Sequence, residues 1–117
     1  MSPQTPAAAI SAEVAGIPAA AYERESERAS TILDDDLAMC VLRNQLTPAE
    51  ELLVATGHRD SVHDQRQAFE NALAPALRAA VERITARSVT SFLPTTHITP
   101  SLTLLTFGFG PASPPAA

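Results

Sequence analysis

Tryptophan and lysine are absent from these 117 residues, cysteine occurs once, and only one tyrosine and four glycines are present. With Tyr22 and four phenylalanines as its only large rings, the chain must build its core from Leu, Val, Ile and Ala. All eight cations are arginine and the formal net charge is −5. No extended basic surface is thus on offer to neutralise phosphates, which argues against nucleic acid as a partner. Cys40 stands alone inside the apolar run Leu37-Ala38-Met39-Cys40-Val41-Leu42; it has no second thiol to bridge to and reads as a buried, reduced side chain. Glycines at 16, 57, 108 and 110 are too scattered to form a phosphate-cradling loop.

No window approaches the roughly 18 consecutive apolar residues that a membrane span requires. The first residues, Met1-Ser2-Pro3-Gln4-Thr5-Pro6, lack the basic flank and apolar core of a secretory leader. A basic amphipathic helix that could lie on anionic lipid is likewise missing. The expectation is a cytoplasmic protein with no direct membrane insertion, reaching a membrane only through a partner.

Residues 1–7 and 110–117 are rich in Pro and small residues and are expected to be mobile tails around one folded unit, residues 8–109. From Ala7 to Glu27 the composition favours helix, with Ile10, Val14, Ile17 and Ala21 at helical spacing and a kink or break expected near Ile17, where Gly16 and Pro18 interrupt. Ala29–Leu33 and Leu37–Arg43 read as a hairpin turning at Asp34-Asp35-Asp36. Thr47-Pro48-Ala49-Glu50 marks a helix start, with Thr at the cap, Pro in the first turn and an acid three residues on. Gly57 ends that short helix.

A longer helix follows from about Asp60, with Val62, Phe69, Leu73, Leu77, Val81 and Ile84 drawing one stripe and Pro75 within it. Ser88–Leu93 and Leu102–Phe109 read as a second hairpin, joined by residues 94–100. Leu105, Phe107 and Phe109 share one face. The fold class is therefore α+β: two hairpins forming a small, mainly antiparallel sheet with the helices on one face. The other face, or an edge strand, is left for a second copy or another protein.

Candidate chemistry is sparse. Asp60, His63 and Asp64 fall on one helix arc, and with His97 brought near they could hold a transition metal in a metal- or small-ligand sensor; H-E-x-x-H is absent and His58 lies off the arc. Acids at a helix start are also favoured by its dipole without any ligand. Asp34–Asp36 read as a solvated turn rather than a cation site. G-x-S-x-G is missing, and no nucleophile, base and pocket can be named together. A non-enzymatic role without a cofactor is the expectation.

Thr31-Ile32-Leu33-Asp34-Asp35-Asp36-Leu37, Leu46-Thr47-Pro48-Ala49-Glu50, Arg66-Gln67-Ala68-Phe69, Ala79-Ala80-Val81-Glu82-Arg83-Ile84-Thr85 and Thr96-His97-Ile98-Thr99-Pro100 occur in this order. As a set they resemble the bacterial MpsC-like family, over about residues 8–107. That family is named for a proposed sodium-translocating, membrane-potential-generating system whose other subunits are integral membrane proteins. The resemblance implies an accessory component acting through protein contacts, with membrane transport subunits or a second copy as partners. Arg59, Asp64 and Arg66, around the start of the long helix, are the expected contact residues. Three departures stand out: Gly16-Ile17-Pro18 interrupts the first helix, Thr95, Thr96, Thr99 and Ser101 replace an acidic second hairpin loop, and Ala86 stands where Gly is common.

Overall fold

A computed structural model of the chain describes residues 5–21, 28–43 and 46–110. The elements run α1 (Pro6–Ala21), β1 (Arg28–Leu33), β2 (Leu37–Arg43), α2 (Pro48–Ala55), α3 (Arg59–Thr85), β3 (Val89–His97) and β4 (Leu102–Phe109). The strands form one antiparallel sheet in the order β1-β2-β4-β3, so the two hairpins join through their inner strands. The α+β architecture read from the sequence is the one observed. Of the tails expected at 1–7 and 110–117, residues 1–4 and 111–117 lie outside the described residues, as do the charged residues 23–27 expected to close α1, whereas Pro6 and Ala7 form the start of α1.

Alternation decides which face is buried. Ala38, Cys40 and Leu42 of β2 and Thr103, Leu105 and Phe107 of β4 are buried toward the helices, because successive side chains of a strand point to opposite faces. Ile10 and Val14 of α1 and Leu77 and Val81 of α3 complete this core. An ion pair, Arg83 Nη2 to Glu13 Oε1 at 2.9 Å, ties α3 to α1 on the surface.

Two elements differ from expectation. The first helix runs unbroken through Gly16 and Pro18; with Ile10, Val14, Ala15 and Pro18 all buried, packing against the sheet outweighs the backbone bond that Pro18 cannot make. The second hairpin loop is short, because β3 continues to His97. Pro94, Thr96 and Ile98 are buried between exposed Leu93, Thr95 and His97, which is strand alternation. β3 is an edge strand, where proline is tolerated.

At the start of β3 a register shift falls between Val89 and Ser91, and α3 compensates for it. Arg78 Nη2 donates to the Val89 carbonyl (2.7 Å) and Glu82 Oε2 accepts from the Val89 amide (2.9 Å). One i, i+4 pair thus satisfies both backbone groups of the displaced residue.

Candidate functional site

The segment that the sequence singles out, the start of α3, is built from the capping box of α2. Thr47 Oγ1 accepts from the Glu50 amide (3.1 Å), and Glu50 Oε1 accepts from the Thr47 amide (2.9 Å). The same carboxylate meets α3: Arg66 Nε donates to Glu50 Oε2 (2.7 Å) and Arg66 Nη2 to Glu50 Oε1 (2.8 Å). This two-pronged pairing suits the flat guanidinium fork. Arg66 is only 5% exposed. Its expected position at an open contact surface is therefore corrected: the side chain turns inward and clamps α2.

One turn further, Glu70 is 9% exposed. Thr103 Oγ1 donates to its Oε1 (3.0 Å), and Thr96 Oγ1 lies 3.1 Å from its Oε2 and 3.3 Å from its Oε1. Thr96 Oγ1 is also 3.3 Å from Gln67 Oε1, and its single proton is shared among these acceptors. Gln67 Nε2 donates to the Pro94 carbonyl at 2.9 Å. A band of polar contacts therefore runs from α2 through Arg66, Gln67 and Glu70 to β3 and β4. Sequence reasoning missed it, although Arg66 and Glu70 lie four residues apart on the Val62–Phe69–Leu73 arc.

Arg59, Asp60 and Asp64 are exposed on the first turns of α3, and His63 is half-buried beside them. His63 Nδ1 lies 3.3 Å from Asp64 Oδ1. Among the described residues no group of three or more His, Cys, Asp or Glu side chains converges as a metal would require. His97 follows the inward-facing Thr96 and so stands on the opposite face of the sheet, away from α3. Burial pushes the Cys40 thiol up, with the Thr31 hydroxyl opposing it at 3.4 Å; a raised thiol is a poor nucleophile.

A groove of about 410 Å³ opens at the far end of α3, lined by Leu33, Ile84, Arg87 and Phe109 among others. Arg87 already donates to the carbonyls of Asp35 and Gly110 and stacks 4.8 Å over the Phe109 ring. It closes the wall of the groove, with two of its five N–H donors committed to these carbonyls.

The Arg66 hydrogen bonds hold the Glu50 carboxyl at about 2, against an ordinary value of 4.5; burial opposes the shift and the Thr47 amide assists it. A depressed carboxylate contributes stability above its unfolded value and loses that contribution as pH falls through its folded one. The wild-type protein should therefore lose stability between pH 4.5 and 2 more steeply than Glu50→Gln. Denaturant midpoints across that window measure the difference, and equal slopes would remove Glu50 from the account.

A family model described as Na+-translocating membrane potential-generating system (MpsC) matches residues 4–110. Neither the curated proteins nor the solved structures yield a match.

Proposed function

Because the chain belongs to the MpsC family, we propose that it is a non-enzymatic accessory component of a sodium-translocating, membrane-potential-generating system, acting in the cytoplasm through protein contacts. The observation that carries this reading is the match of that family over residues 4–110. No helix among the described residues is long and apolar enough to cross a membrane. A helical ion path through the bilayer would accordingly belong to other subunits, since backbone in lipid must satisfy its own hydrogen bonds. Integral membrane transport subunits are one class of partner and a second copy of the chain is another. Arg59 and Asp64, exposed at the start of α3, are the side chains offered to the membrane subunits.

Affinity capture of the tagged chain from its native cells tests the reading, with mild cross-linking and solubilised membranes. Integral membrane transport subunits should be recovered with wild type and depleted with Arg59→Glu/Asp64→Arg. Recovery of the chain alone would overturn the accessory role.

A further inference from the structure

We draw no further inference here: the strongest candidate, the groove between the β1–β2 turn and the end of α3, sets Asp34 and Asp35 beside Arg87 on one partly apolar lining, and nothing in the structure shows which ligand or partner fills it.

Discussion

Replacing Arg66 by alanine should lower the unfolding free energy by about 3 kcal/mol, the lower end of the cost of breaking a buried ion pair. The variant strips the Glu50 carboxylate of both guanidinium contacts, at 2.7 and 2.8 Å, and leaves it facing α3 with the Thr47 amide. Partial exposure of Glu50 lets some water return, which is why the upper end is not expected. Glu50→Ala/Arg66→Ala should lose less than the two single changes added together, since residues in contact are not additive. Urea unfolding with an unchanged slope measures it. The damage should concentrate in α2, which has no buried residue of its own and packs mainly on α3 among the described elements. Amide exchange over Pro48–Ala55 should therefore quicken well before the sheet opens. If α2 exchanged no faster than in wild type, Arg66 would not be its clamp.

Residues near this clamp show where the sequence could be read and where it could not. Thr47, Pro48 and Glu50 announce a helix start through local chemistry alone, and the capping box forms as read. Arg66 and Glu70 sit on the arc of the apolar stripe, but their charge places them at the surface in any reading by composition. What buries them is a carboxylate sixteen residues away and hydroxyls on two strands, and periodicity holds no record of such partners. The reach of β3 was obscured in a related way. Pro94, Thr95 and Thr96 look like turn residues, whereas their alternation between buried and exposed is that of a strand. Ala86 shows the reverse case: its φ of 58° puts it in the left-handed region favoured by glycine at a helix end, a conformation that an alanine does not announce. Asp34–Asp36 were legible as a turn, and the β1–β2 hairpin turns there.

Phe107→Ala is the other substitution with a large expected effect, a loss of about 3–5 kcal/mol. Phe107 is 0% exposed and lies on β4 between Ala38 of β2 and Phe92 of β3. Small Ala38 makes room for the ring on one side. On the other, the Phe92 ring lies tilted by 42° at 5.1 Å between centroids, a geometry worth about 0.5–1.5 kcal/mol beyond burial. Deleting the ring opens a cavity that the neighbours cannot easily close: both flanking strands are held by their ladders, and the methyl of Ala38 cannot extend into it. Phe92→Ala, at a half-buried edge position, should cost less, because solvent can fill the space it leaves. The melting temperature should fall by about 15–30 °C for Phe107→Ala, enough to threaten folding in a domain whose total stability is about 5–15 kcal/mol. Thr106 and Gly108 on either side belong to the sheet face away from the helices, which the deletion does not touch. A loss below about 1 kcal/mol would mean that the neighbours relax into the space.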